Sequence, residues 1–162
     1  MRTYFVGLTC TIVLFGAQQG WTKPPNYPKA KVSFRDFKGL VSEVEPHRAS
    51  RLVSLDTFLK MSKEPGTIIL DSRSTFRYDR IHLQGARHLC FTDFTQSNLT
   101  KVIPSFDTRI LIYCNNNFSN NAQPVVLKRV ELALNIQTFI NLYGYGYRNV
   151  YELGDVVDFN DP

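Results

Sequence analysis

Short apolar runs alternate with stretches of helical spacing along most of the chain. The runs at residues 67–71 and 110–113 are continuously apolar up to their last residue, which is typical of strands covered on both faces. The pattern predicts strands at residues 51–54, 67–71, 88–90, 110–113 and 149–153, and helices at 55–62, 74–80 and 123–134. Strands that alternate with helices form an open, mostly parallel sheet flanked by helices, so we predict an α/β fold with five strands.

Two polar residues stand at the carboxyl ends of the apolar strands, where such sheets form their ligand sites. Asp71 ends one strand, and Cys114 follows the other. The segment after Cys114 leads into a predicted helix, whose N–H groups and dipole favour negative charge. We therefore predict that Cys114 has a low pKa and is reactive. The alternative is a structural cysteine followed by an ordinary asparagine-rich loop.

The residues after Cys114 are suited to a tight loop around the sulfur. Asparagine tolerates left-handed backbone angles and forms local hydrogen bonds, and it occupies positions 115, 116, 117, 120 and 121. Ser119 adds a hydroxyl that is able to donate to the sulfur or to a bound oxyanion. The loop contains no lysine, arginine or histidine, so its positive potential comes from backbone dipoles alone.

Three further residues are candidates for a supporting role. Asp71 and Arg73 are spaced to lock a turn by a charge-assisted hydrogen bond, which favours a structural over a chemical role. His82 stands between Ile81 and Leu83, a setting more typical of packing than of proton transfer. The tyrosines of residues 143–147 either wall a pocket or cover the sheet, and covering is the commoner outcome.

Composition limits the function classes. A chain of 162 residues with 43% hydrophobic content has room for one globular domain and its core. The net charge of +5 is spread along the chain without a dense basic run, so we do not expect nucleic-acid binding. No spacing of cysteine, histidine or carboxylate matches a metal site, and no glycine-rich phosphate loop is present, so we expect no metal or cofactor.

The first twenty residues differ from the rest of the chain. They carry one charge, Arg2, and an apolar run at residues 3–17 that is short for a membrane span but suits a secretory signal. We predict a signal peptide at residues 1–20, export to the periplasm or secretion, and no stable membrane insertion after cleavage. An uncleaved anchor is the alternative. Residues 21–49 are rich in proline and lysine, which predicts an extended lead-in with room for one short helix.

Removal of the signal takes Cys10 with it and leaves Cys90 and Cys114. In an exported protein the two either pair or leave one thiol free. Cys90 lies in an apolar run, which favours a buried, inert thiol.

Four motifs, in order, resemble those of the rhodanese (thiosulfate sulfurtransferase) homology domain. Residues 68–74 resemble its apolar strand and Asp-x-Arg turn, and Tyr78 with residues 81–86 resembles its Tyr and His-Ile-x-Gly-Ala segment. Residues 112–114 are similar to the strand that delivers the family's catalytic cysteine, and residues 146–154 to its closing Gly-Tyr-x-Asn-Val-x-x-Leu-Gly. The resemblance implies a single rhodanese-like domain at residues 50–158, followed by a tail at 159–162.

The resemblance also implies a chemistry. Cys114 is then the catalytic residue, which accepts sulfane sulfur as a persulfide and passes it to a thiol or another nucleophile. The six-residue loop implies that substrate is held by the residues after the cysteine, with Asp71, Arg73 and His82 in support. The six-residue loop runs from Cys114 to Ser119, and the candidate substrate-binding residues are Asn115, Asn116, Asn117, Phe118, Ser119 and Asn120. Related phosphatases end a longer loop in an essential arginine, and its absence here argues against phosphatase activity.

The loop also departs from the family pattern. Members that use thiosulfate commonly carry Arg or Lys in the loop, and a charge-assisted contact contributes about 1.5–3 kcal/mol. We therefore expect a sulfurtransferase with low thiosulfate activity, whose partners are an uncharged or protein-bound sulfane donor and a thiol acceptor. Two alternatives remain open: an inactive binding module, and a redox-active thiol protein with Cys90 as the resolving cysteine.

Overall fold

The computed structural model describes residues 26–120, 126–158 and 160. The predicted signal peptide, Asn121 and the start of the predicted helix at 123–134 lie outside the described residues. Residues 26–32 belong to a separate unit and contain no helix or strand. Within the described ranges, no helix has both the length and the apolar content needed to cross a membrane.

The unit that begins at Ser33 is an α/β domain. Its helices are α1 (Phe34–Ala49), α2 (Leu55–Ser62), α3 (Thr75–Arg80), α4 (Gln96–Val102) and α5 (Leu134–Gly144). Its strands are β1 (Leu52–Val53), β2 (Thr67–Asp71), β3 (Arg87–His88), β4 (Arg109–Tyr113), β5 (Phe118–Ser119), β6 (Val150–Leu153) and β7 (Val157–Asp158). Five strands form one sheet in the order β1-β6-β4-β2-β3, and every pair in it is parallel. The predicted α/β fold with a five-stranded sheet is confirmed.

The centre of the sheet is the pairing of β2 with β4, in register from Thr67 opposite Arg109 to Asp71 opposite Tyr113. Alternate β4 side chains pack into different cores. Ile110 and Ile112 join the cluster that contains α5, while Leu111 and Tyr113 join the cluster that contains α2. Both faces of the strand are therefore covered by helices, which explains its continuously apolar sequence.

The N-terminal segment differs from its prediction as an extended lead-in. A helix of 16 residues, α1, occupies the second half of that segment and includes Pro46. It begins at Ser33, whose hydroxyl accepts a hydrogen bond from the Asp36 N–H at 3.2 Å, as a helix cap does. Val44 is buried against the α5 cluster. Burial of the face of α1 that contains Val44 outweighs the helix-breaking tendency of Pro46. The prediction from sequence gave too much weight to that tendency.

The helix predicted at residues 123–134 is not found over the described part of that range. Residues 126–129 have no regular structure, residues Val130–Leu132 form a single 3₁₀ turn, and α5 begins only at Leu134. Val126 and Val130, which have helical spacing in this segment, are more than half exposed. The core is instead filled by Phe139, Ile140 and Leu142 of α5, so the helix forms where those side chains are buried.

Helix α1 is fixed to the sheet by one bidentate ion pair. The Arg48 guanidinium donates to both carboxylate oxygens of Glu152 in β6, at 2.6 and 2.7 Å. The Glu152 side chain is 6% exposed and that of Arg48 is 27% exposed. A buried carboxylate of this kind is stable only while its partner is present.

We predict that Arg48→Ala lowers the free energy of unfolding by about 3 kcal/mol, because Glu152 is then left buried without its partner. Urea unfolding at pH 7 measures this. The matched control is Arg35→Ala, which removes a pair with Asp36 whose side chains are 94% and 72% exposed. An exposed pair contributes less than about 1 kcal/mol. Equal losses in the two variants would contradict the interpretation.

Candidate functional site

The carboxyl ends of β2 and β4 meet at one edge of the sheet, because Asp71 and Tyr113 are opposite each other in register. Cys114 and the turn that follows Asp71 therefore lie side by side. A cavity of about 360 Å³ opens at this edge. Its lining includes Arg73, Arg77, Cys90, Cys114 and Lys128.

Cys114 lies at the deep end of the site and is 1% exposed. It caps the 3₁₀ turn Asn115–Asn117, and its Sγ accepts a hydrogen bond from the Asn116 N–H at 3.4 Å. The N–H groups of Leu134 and Asn135, in the first turn of α5, also interact with the sulfur. A helix N-terminus therefore does face the thiol, as expected, although the helix begins later in the chain.

The low pKa predicted for Cys114 is wrong. Burial raises the pKa of the Cys114 thiol above its ordinary value, and the Glu152 charge adds to the increase. The N–H groups of Asn135, Asn116 and Leu134 oppose this and lower the pKa, but their effect is smaller. Desolvation of the thiolate exceeds the stabilisation by N–H dipoles because the sulfur is almost fully covered. At neutral pH the thiol is therefore mainly protonated.

Asn115 and Asn116 line the cavity, but their amides bind the chain itself. The Asn115 side chain donates to the Val126 carbonyl at 3.0 Å. The Asn116 amide donates to the Lys128 carbonyl at 2.8 Å and accepts from the Lys128 N–H at 3.1 Å. We call residues 126–128 the strap. The two asparagines, predicted to hold substrate, hold the strap beside the cysteine.

Asn117 is buried and connects four parts of the chain. Its carbonyl oxygen accepts from the Cys114 N–H and from the Asn135 amide, both at 2.9 Å. Its amide nitrogen donates to the Leu153 carbonyl at 2.8 Å and the Asp155 carbonyl at 3.0 Å. This side chain has no hydrogen-bonding group left for substrate, and the substrate contact predicted for Asn117 stays a prediction.

The last three loop residues form part of a small second sheet. β5 pairs in parallel with β7, so Phe118 and Ser119 are directed to Val157 and Asp158. The Phe118 ring packs edge-on against Tyr113, and the Ser119 hydroxyl donates to the Val157 carbonyl at 3.4 Å. Asn120 has a φ of 58° and donates to Asp158. These residues contact β7 and the core and are not among the residues that line the cavity. The substrate contacts predicted for Phe118, Ser119 and Asn120 stay predictions.

Asp71 and Arg73 lock the turn, as their sequence spacing indicated. Asp71 is fully buried and accepts from the Arg73 N–H at 2.9 Å and from the Arg73 guanidinium at 2.6 Å. The Tyr113 hydroxyl donates to the same carboxylate at 2.5 Å. Burial and the Asp71 charge raise the pKa of Tyr113 well above its ordinary value. Asp71 therefore neutralises the positive charge that the Arg73 guanidinium would otherwise present to the cavity.

His82 lies outside the cavity lining. Its ring is exposed, stacks on Tyr78 with ring centres 3.9 Å apart, and bonds the Tyr78 carbonyl at 2.8 Å. The supporting role predicted for His82 is therefore structural, at the surface. Tyr143 and Tyr147 belong to the main core, so they cover the sheet.

Three cavity residues were not expected there. Arg77 of α3 and Lys128 of the strap are basic residues that line the cavity, although the loop has none. Cys90, predicted to be buried and inert, is half-buried and lines the same cavity as Cys114. These residues are far apart in sequence, so no local pattern joined them. In the described ranges, no cluster of three or more His, Cys, Asp or Glu is placed to hold a metal ion.

We predict that the alkylation rate of Cys114 by iodoacetamide rises about tenfold per pH unit from pH 7. Its midpoint lies above about 8.5, the value of a free thiol, because burial raises the pKa of this thiol. Quenched samples are digested with trypsin, and the Cys114 peptide is quantified by mass spectrometry. A small free thiol in the same buffers is the reference. A midpoint at or below that reference would contradict the expected effect of burial.

We predict that Asn116→Ala speeds labelling of Cys114 by a bulky maleimide about tenfold or more. The variant loses two hydrogen bonds to the strap, each contributing about 1 kcal/mol. The matched control is Asn149→Ala, whose amide bonds the Asp107 carbonyl at the amino edge of the sheet. Unchanged labelling in Asn116→Ala, with the native fold retained by circular dichroism, would show that the strap does not limit access.

Comparison with known proteins gives one family. No curated protein matches the chain significantly. The family model of the rhodanese-like domain matches residues 54–157, which is more than half of the chain and includes the sheet strands β2, β3, β4 and β6, Cys114 and the cavity lining. The chain therefore belongs to the rhodanese-like domain family.

Proposed function

We propose that this protein is a sulfur carrier or sulfurtransferase in which Cys114 holds sulfane sulfur as a persulfide and passes it to a thiol. The observation that supports this most strongly is the position of the Cys114 sulfur. It borders a cavity at the carboxyl edge of the sheet, and the N–H groups of Asn116, Leu134 and Asn135 interact with it. A nucleophilic sulfur beside N–H donors is suited to accept and stabilise a second, anionic sulfur.

The proposed reaction has two displacement steps. In the first, the Cys114 thiolate attacks the outer sulfur of a donor, a new S–S bond forms, and the bond from that sulfur to the rest of the donor breaks. The donor remainder leaves with the electron pair, as sulfite from thiosulfate or as a thiolate from a persulfide. In the second, an acceptor thiolate attacks the outer sulfur and Cys114 leaves as a thiolate. No external oxidant is required.

The raised pKa of Cys114 affects the two steps differently. Loading requires the thiolate, which burial makes scarce at neutral pH. A persulfide is more acidic than its parent thiol, so the loaded form carries negative charge. The N–H groups beside the sulfur stabilise that charge, and Arg77 and Lys128 are among the residues that line the cavity. We therefore propose slow loading and a stable loaded form.

The proposed donor is a small or protein-bound persulfide, with thiosulfate a poor substrate. The loop contributes no cation, Arg73 is paired with Asp71, and Cys114 is 1% exposed. The proposed export to the periplasm or outside the cell rests on the sequence of residues 1–20 alone.

A second candidate is a binding module without catalytic activity. The almost complete burial of Cys114, its raised pKa and the engagement of Asn115 and Asn116 with the strap favour it. In that case the cavity holds a small ligand or a peptide side chain, and the thiol is only part of its wall.

We predict that the reduced protein gains the mass of one sulfur atom when incubated at pH 8.5 with glutathione persulfide, and gains less with thiosulfate. Cyanide removes the added sulfur, as it does from persulfides. The matched control is Cys114→Ser, which should gain far less sulfur under the same conditions. No gain by the wild-type chain, with Cys114 shown to be reduced by alkylation after denaturation, would exclude the carrier and favour the binding module.

A further inference from the structure

We propose that Cys90 is a second catalytic residue, which receives the outer sulfur from the Cys114 persulfide and presents it to the acceptor. This inference rests on the proposed function. Both thiols line the same cavity of about 360 Å³, and they differ in exposure. Cys114 is 1% exposed, whereas Cys90 is half-buried. Sulfur on Cys90 is therefore more accessible to a protein thiol than sulfur on Cys114.

The backbone fixes Cys90 beside the end of β2. The Leu89 N–H donates to the Asp71 carbonyl at 3.2 Å, and the Phe91 N–H donates to the Ser72 carbonyl at 2.9 Å. Cys90 therefore continues the path of β3 along β2, while Cys114 continues β4 on the opposite side of β2. The two cysteines face the cavity from two sides of the turn that Asp71 and Arg73 lock.

This arrangement favours sulfur transfer over a disulfide. Chains on opposite sides of one strand are separated by two strand spacings, about 10 Å in total. A disulfide requires Cα atoms within about 7 Å, so a direct Cys90–Cys114 bond requires backbone movement. A persulfide extends the Cys114 side chain by one S–S bond, about 2 Å. The outer sulfur of the Cys114 persulfide therefore lies closer to Cys90 than the Cys114 sulfur itself does.

The proposed step is balanced. The Cys90 sulfur attacks the outer sulfur of the Cys114 persulfide, so an S–S bond forms at Cys90 and the S–S bond at Cys114 breaks. Cys114 leaves as a thiolate and takes up the proton that Cys90 loses, with no net oxidation or reduction. The Thr92 hydroxyl lies 3.2 Å from the Cys90 sulfur and orients it. Arg77 and Lys128 are among the residues that line the cavity in which the sulfur moves.

The test follows sulfur between the two cysteines. Reduced full-length protein receives one equivalent of glutathione persulfide, and samples taken over time are trapped with an iodoacetamide reagent and digested with trypsin. Cleavage at Arg87, Lys101, Arg109 and Lys128 puts Cys90 and Cys114 on separate peptides. The variants are Cys90→Ser and Cys114→Ser, with native structure checked by circular dichroism. The acceptor is a reduced dithiol protein, compared with dithiothreitol as a small acceptor.

In the wild-type chain we expect persulfide first at Cys114 and then at Cys90, with matching decay and growth. Cys90→Ser should keep the sulfur on Cys114 and release it at least tenfold more slowly to the protein acceptor, with a smaller change for dithiothreitol. Cys114→Ser should load Cys90 at least tenfold more slowly than the wild type. Loading of Cys114 without later labelling of Cys90, or equal loading of Cys90 in Cys114→Ser, overturns the relay and leaves the carrier function intact. Absence of persulfide at Cys114 in both the wild type and Cys90→Ser overturns both.

Discussion

The buried carboxylate of Asp71 is the constraint on which the rest of the site depends. It is fully buried at the end of β2 and accepts hydrogen bonds from the Arg73 backbone, the Arg73 guanidinium and the Tyr113 hydroxyl. Tyr113 precedes Cys114, and the same guanidinium donates to the Ile81 carbonyl after α3. One charge thus fixes the relative positions of two strand ends and of α3. Loss of a partner would leave that charge buried and unpaired, which is far more costly than a lost surface contact.

Asn117 makes a second, neutral set of connections on the other side of the cysteine. Its amide group joins the Cys114 backbone to α5 and to the chain that follows β6. These hydrogen bonds and the pairing of β5 with β7 hold the residues after Cys114 against the rest of the domain. Apart from Cys114, Asn115 and Asn116, the lining of the cavity comes from outside the loop: from the turn after β2, from α3, from the segment around Cys90, from the strap and from the start of α5. This explains how a loop without cations borders a cavity lined by Arg77 and Lys128.

The sequence predicted the elements whose burial pattern is local. β2 and α2 lie at the expected residues. In a continuously apolar strand and in an amphipathic helix, the sequence of a few neighbouring residues is enough to show which faces are buried. The position of Cys114 at a strand end followed for the same reason. By contrast, α1 forms through Pro46 because distant α5 side chains cover its apolar face, and no pattern within residues 21–49 contains that information. The start of α5 was misplaced because Val126 and Val130 have helical spacing without a core to fill.

The chemistry of the site was less predictable than its position, since it is set by competing contributions that come from separate parts of the chain. The N–H groups that lower the pKa of Cys114 belong partly to α5, and the burial that raises it comes from the whole surrounding core. The spacing of residues after the cysteine indicated the contribution of the N–H groups, but it gave no measure of the contribution of burial. The basic lining and Cys90 arrive through tertiary contacts alone.

Burial of Cys114 has opposite effects on the two halves of a sulfur-carrying cycle. Coverage of the sulfur disfavours the thiolate, which slows loading, but it also keeps solvent and bulky thiols away from a sulfur that is already bound. In the proposed loaded form, the outer sulfur would carry the charge and extend from Cys114 into the cavity that Arg77 and Lys128 also line. The limiting factor is then access, which depends on the strap that Asn115 and Asn116 hold and on any thiol already inside the cavity. The half-buried Cys90 is a thiol already inside the cavity, so it can take the sulfur without opening of the strap. Cys114 can then protect the bound sulfur while Cys90 releases it, so the two requirements do not fall on the same sulfur atom.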